Sequence, residues 1–169
     1  ALRELPPKLL SMFVSAFQSY IFNCALSRRF DDGVALTEPV PGDHLVFANG
    51  RTDTVTATNA AAAALHIRRG RCSIALFMPG RGNSSGPVLK EPVMDGLLAE
   101  KNITPDDFAR ASRFVGTKFE GAFRPISLKT EIEYSTGETD VTLKFTLPPG
   151  HYATTVCREY MKADPVRMV

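Results

Sequence analysis

The feature that most constrains this chain lies near its start, where Leu9 to Leu26 forms an almost unbroken apolar run. Ser11, Ser15, Gln18, Ser19 and Asn23 interrupt it, and steps of three to four residues place them on one helical stripe. A bilayer core tolerates so many polar groups poorly, so the run reads as a soluble helix rather than a membrane span or signal peptide. Pro6-Pro7 suits its first turn, and the helix is expected to run to about Phe30 and stop at Asp31-Asp32-Gly33. Apolar residues fill most of the remaining circumference, so the helix is expected to be buried on most sides. A stripe of small, amide-rich groups suits another backbone or a polar ligand.

The texture changes after Glu38. Pro39-Val40-Pro41-Gly42-Asp43 is turn chemistry. His44 to Ala48 reads as a strand, Asn49-Gly50 as a hairpin turn and Thr52 to Thr58 as the partner strand. Asn59 suits the N-cap of a helix over Ala60 to Arg69, with Gly70 as its stop. Arg71 to Phe77 reads as a third strand, Met78 to Pro87 as a Gly/Pro/Ser loop and Pro92 to Glu100 as a short helix. Thr104-Pro105 opens another helix, with Thr104 as its cap. The last third holds two runs of period two. Leu128, Thr130, Ile132 and Tyr134 alternate with charged residues, as do Val141, Leu143, Phe145 and Leu147 with polar ones. Together they predict an antiparallel hairpin with one apolar face, followed by a helix over Tyr152 to Lys162. The fold class is α+β.

The chain has 169 residues, 22% of them charged, with a net charge of +2. So weak a basic bias does not by itself argue for nucleic acid. Cys24, Cys72 and Cys157 are odd in number, far apart and without metal spacing, which suits a reduced, cytoplasmic protein. His44, His66 and His151 also lack metal-ligand spacing, and His44 and His66 read as structural. The glycine-rich Gly80 to Gly86 has no Lys-Ser/Thr ending and reads as a loop rather than a P-loop. Arg28-Arg29, Arg68-Arg69-Arg71, Arg81, and Lys118 with Arg124 are basic groups that suit either phosphates or solvated helix ends. Pro148-Pro149-Gly150 sets a sharp strand-to-helix turn, with His151 and Tyr152 at a helix N-terminus and Arg158-Glu159 about two turns on. That turn suits plain capping or the cradling of a nucleotide.

Gln18-Ser19-Tyr20-Ile21-Phe22-Asn23 and Leu147-Pro148-Pro149-Gly150-His151-Tyr152-Ala153-Thr154, the latter followed by Arg158-Glu159, resemble two motifs of the TruD-type tRNA pseudouridine synthases. Pro41-Gly42-Asp43, Pro79-Gly80 and Gly121-Ala122-Phe123-Arg124-Pro125 resemble further landmarks in the same order. The short insertion and the Tyr-Ala-Thr form look archaeal. The resemblance implies a division into residues 1–33, a helix of the catalytic domain; 34–121, an inserted α/β domain; and 122–169, the closing hairpin and helix of the catalytic domain. It implies isomerisation of a uridine of tRNA, uridine-13 of tRNA-Glu being typical, to pseudouridine. An aspartate starts the reaction, the glycosidic bond breaks, the base turns and a C–C bond forms at C5, with no metal or organic cofactor. The base must leave its stack to reach the site.

The family's aspartate lies in a Gly-x-Lys-Asp motif. Here Gly116-Thr117-Lys118-Phe119 imitates it, with Phe119 in the aspartate's place. The chain also lacks an initiator methionine. It is therefore expected to be a fragment whose catalytic aspartate lies in a missing N-terminal segment, inactive alone and with no catalytic residue of its own. Gln18, Asn23, Arg124, His151, Tyr152 and Arg158 are the candidates for contact with RNA or the active site. The alternative is a non-catalytic RNA-binding or protein-interaction module. The expected partners are tRNA and the missing segment, with no membrane. The apolar surface of the first helix is expected to make the isolated chain self-associate.

Overall fold

The structure, a computed structural model, describes residues 4–81, 92–148 and 151–162. Its helices are α1 (Pro7–Asp31), α2 (Ala60–Arg68), α3 (Pro92–Glu100), α4 (Pro105–Val115) and α5 (Ala153–Met161). Its strands are β1 (His44–Phe47), β2 (Thr52–Thr54), β3 (Cys72–Met78), β4 (Ala122–Pro125), β5 (Ile132–Thr136) and β6 (Val141–Phe145). The chain is α+β, as its alternating patterns imply. It divides into two compact units, Ala1–Ser127 and Leu128–Val169.

In the first unit four strands form an antiparallel sheet in the order β2-β1-β3-β4. Helix α1 packs against β3, α3 and α4, and α2 packs against β3. Ile21, Phe22 and Ala25 of α1 meet Ile74 of β3, Met94 and Leu97 of α3, and Phe108 of α4 in one core. Gly116, at φ +76°, gives α4 its left-handed C-terminus. The chain then turns back, and Phe119 enters the core at 4% exposure. The Phe119 N–H donates to the Ser112 hydroxyl at 3.1 Å.

Several expectations need correction. Helix α1 is not buried on most sides: Met12, Phe13 and Phe30 are 57%, 51% and 56% exposed. Packing comes from one side only, where Gln18, Ile21, Phe22, Ala25 and Arg29 are buried. By length and composition alone α1 could cross a membrane. The strand expected over Thr52 to Thr58 ends at Thr54, because Val55 turns into the core and Thr56 begins a side-chain-stabilised turn. Asn59 stands at the N-cap of α2 but does not cap it. Its side chain reaches backward instead, accepting from the Thr56 N–H at 2.7 Å and donating to the Thr54 carbonyl at 3.0 Å. Strand β4 carries no period-two signal and forms through its pairing with β3. Much of the 78–87 loop lies outside the described residues.

In the second unit β5 and β6 form the expected hairpin, with Ile132 opposite Phe145 and Tyr134 opposite Leu143 on one face. Helix α5 follows, and none of its residues is buried. The expected domain bounds at 33/34 and 121/122 refer to the plan of a whole enzyme. The boundary between compact units falls elsewhere, after Ser127, because β4 pairs with β3 and Ile126 joins the core of the first unit.

Candidate functional site

Helix α1 gathers three separate sequence landmarks onto one face. Gln18 is buried, and its Nε2 donates to the Pro79 carbonyl at 2.7 Å. Phe22, one turn on, carries the Arg124 guanidinium 4.9 Å from its ring centre. Arg29, two turns further, is only 9% exposed and clamps both carboxylate oxygens of Asp43, at 2.7 and 3.0 Å. It also donates to the carbonyls of Ala35 and Glu38, at 3.2 and 2.7 Å. The amide-bearing stripe therefore meets another backbone at Gln18. Arg29 is no solvated helix end, and Asp43 is the part-buried partner that holds it.

The same face fixes a close backbone approach. Arg81 donates its N–H to the Phe119 carbonyl at 2.8 Å, and Arg81 bridges Glu120. A Cβ on Gly80 would run into the Glu120 carbonyl carbon and the Gly121 nitrogen. A Cβ on Gly121 would strike the Phe77 ring and lie 3.1 Å from the Met78 carbonyl oxygen. Glycine is needed at Gly80 because another backbone touches it there, and at Gly121 because the Phe77 ring fills the place of a Cβ. The Pro79-Gly80 and Gly121-to-Pro125 landmarks are thus two sides of one contact.

Arg124 sits opposite Leu76 on the β3–β4 ladder and is half-buried, with no ion pair among the described residues. Beyond the Phe22 ring, its guanidinium forms no hydrogen bond among the described residues. Asn23 is exposed, one residue round the helix from Phe22. In the second unit, His151 and Tyr152 precede the first turn of α5, and Tyr152 is 73% exposed. The His151 N–H donates to the Pro148 carbonyl at 3.3 Å, and its Nδ1 lies 3.2 Å from the same oxygen. Pro149 and Gly150 lie outside the described residues. Arg158 is exposed on α5, while its neighbour Glu159 pairs with Lys162 at 3.0 Å. Gln18, Phe22 and Arg124 are brought together within the first unit; His151, Tyr152 and Arg158 share the start and flank of α5.

Two titratable groups are held away from their ordinary range. Burial pushes the Cys72 thiol up, which keeps it protonated. The backbone N–H and then the hydroxyl of Thr104 hold the Asp107 carboxyl below its ordinary range, with Arg110 adding to this. That carboxylate is tied to the start of α4. Among the described residues no group of three His, Cys, Asp or Glu side chains is placed to hold a metal ion. His44 packs against Phe123 with tilted rings 4.9 Å apart and His66 meets Phe47 edge-on at 6.4 Å, in keeping with packing roles.

The chain is similar to known proteins in sequence and in fold. Residues 1–160 match the sequence profile of tRNA pseudouridine synthase D (TruD). Relatives named as probable tRNA pseudouridine synthase D include one from Methanosarcina acetivorans, 34% identical over 99% of this chain and 41% of that protein. Another, from Natronomonas pharaonis, is 36% identical over 93% of this chain and 37% of its own length. A Methanosarcina mazei crystal structure described as tRNA pseudouridine synthase D superposes with a TM-score of 0.76 at 31% identity. It covers 98% of this chain and 41% of that one. The chain thus spans about two-fifths of the length of these relatives.

Proposed function

The chain belongs to the tRNA pseudouridine synthase D (TruD) family, and from that premise we propose that it forms part of an enzyme isomerising a uridine of tRNA, uridine-13 of tRNA-Glu in the first instance, to pseudouridine. The observation that carries this reading is the family match across residues 1–160. We assign these residues a binding and positioning part. The aspartate that opens the reaction is taken to come from the length of the relatives that this chain does not span. Support comes from the carboxylates in hand: Asp43 is bound by Arg29 and Asp107 by Thr104, while Phe119 of the Gly116-to-Phe119 sequence is core.

In this proposal Arg124, held against Phe22, offers guanidinium N–H groups to an RNA phosphate or to the target nucleotide. Gln18 acts chiefly by fixing Pro79, leaving its Oε1 for any RNA contact, and Asn23 offers an exposed amide. The backbone amides at the start of α5 suit a phosphate, with Tyr152 as a stacking surface and Arg158 as a cation. The enzyme is taken to be cytoplasmic and to need no metal or organic cofactor.

The test is tritium release from a uridine-labelled tRNA transcript. The chain alone should give no turnover. Joined to the portion of the Methanosarcina acetivorans relative that it does not match, it should give turnover that depends on Arg124. Turnover by the chain alone would overturn the division of labour proposed here. A folded but inactive fusion that still bound RNA would favour the second reading, a non-catalytic RNA-binding module.

A further inference from the structure

We propose that the sheet end formed by the β1–β2 and α2–β3 turns is a docking surface for the phosphate backbone of RNA, built from Arg51, Arg68, Arg69 and Arg71. The proposal rests on the RNA reading above and adds a second contact surface to it. Between His44 and Cys72 the chain carries these four arginines and a single carboxylate, Asp53, for a net +3 on a chain of net +2. The basic charge is therefore concentrated here, while the remainder of the chain carries a slight acidic excess.

The fold brings the four together from separate turns. Phe47 ends β1 opposite Cys72, which begins β3, so both turns lie at the same end of the sheet. Gly50 and Gly70, at φ +79° and +66°, make those turns tight. The Arg51 guanidinium lies 4.7 Å from the centre of the Phe47 ring. That ring meets His66 of α2 edge-on, and the Arg71 N–H donates to the His66 carbonyl at 2.9 Å. A connected set of contacts thus runs from Arg51 to Arg71. All four arginines are exposed, and none forms an ion pair among the described residues. The Asp53 carboxylate accepts from the Thr54 N–H at 2.8 Å instead.

Complementing a helix dipole explains only part of this cluster. Arg68 closes α2 and Arg69 follows it, where a cation is favourable. Arg71 closes the turn that ends α2 through its N–H bond to the His66 carbonyl, whereas Arg51 follows β1 and has no helix end to account for it. All four cations are arginine, whose planar fork suits bidentate phosphate contacts. The surface lies at the opposite end of β3 from the Gln18–Pro79 contact, roughly 20 Å along the strand. It suits the grip of an extended polyanion away from the nucleotide being handled.

The test is fluorescence anisotropy of a labelled tRNA transcript with the full chain, from about 50 to 300 mM salt. The quadruple variant R51Q/R68Q/R69Q/R71Q should bind at least tenfold more weakly at the lowest salt. Its slope of log affinity against log salt should fall by about 3. The variant K8Q/K101Q/R113Q/K129Q removes the same charge from exposed positions elsewhere and should change affinity less than threefold. The pair R51Q/R71Q leaves α2 intact and should give about half the slope change, which keeps the test valid if the quadruple variant misfolds. Unchanged binding by the arginine variants, or equal loss in the control, would overturn the proposal while leaving the RNA reading standing. Competition by poly-glutamate as strong as by RNA would overturn it in favour of an acidic protein partner. Failure of the unaltered chain to bind any tRNA would remove the RNA reading itself, and the proposal with it.

Discussion

Arg29 and Gln18 show how single residues tie a helix to distant segments. Breaking the Arg29–Asp43 pair from one side leaves a partly buried charge without its partner. Arg29→Ala or Asp43→Asn should therefore destabilise the chain by about 3 kcal/mol, measured by denaturant unfolding. Gln18→Leu keeps the volume but strands the buried Pro79 carbonyl, at a cost of about 1–3 kcal/mol. Gly80→Ala should cost about 3 kcal/mol, because backbone rather than a flexible side chain lies in the way of the added methyl group. These residues were visible in the sequence as landmarks, but their partners were not. Nothing in the spacing of Arg29 and Asp43, or of Gln18 and Pro79, says that they touch. Paired glycines at Gly80 and Gly121 were the one local signal of a close approach.

At the scale of elements, local chemistry was the better guide. The ends of α1, the Asn49-Gly50 turn, the start of α4 at Pro105 and the β5–β6 hairpin follow from prolines, glycines and period-two runs that act over a few residues. The start of α4 also carries a pH dependence. Its Asp107 carboxyl is lowered by the Thr104 N–H and hydroxyl, so the folded chain binds that proton less readily than the unfolded one. The stability it contributes is present above the unfolded value of about 4 and is lost as the pH falls through the lower folded value. Thermal unfolding of the native chain should weaken more steeply below about pH 4 than that of Asp107→Asn, with the two curves converging in acid. Strand β4 and the early end of β2 were not legible. The first depends on pairing with β3, about fifty residues earlier in the chain, and the second on Val55 finding the core.

For the whole molecule, we propose that the exposed apolar residues of α1 make the chain self-associate. Phe13, Val14 and Phe17 line an open apolar depression of about 250 Å³ with Ile103, Phe108 and Ala111 of the segment around α4. A surface of this kind drives association. Light scattering should show a mass that rises with concentration, and Met12→Ser/Phe13→Ser should reduce that rise. A constant monomer mass at millimolar concentration would show that this face needs no cover.

The sequence by itself determined the α+β class, most element positions and the family resemblance, because turn chemistry, periodicity and short motifs are written in neighbouring residues. Only the tertiary structure decided which side of α1 is buried, that Asp43 belongs to Arg29, and that Arg51 and Arg71 stand at one end of a sheet. Those outcomes depend on which distant segments meet, and hydrophobic burial is non-directional: it draws Ile21, Ile74 and Phe108 into one core without specifying from the sequence which polar groups will be carried in beside them.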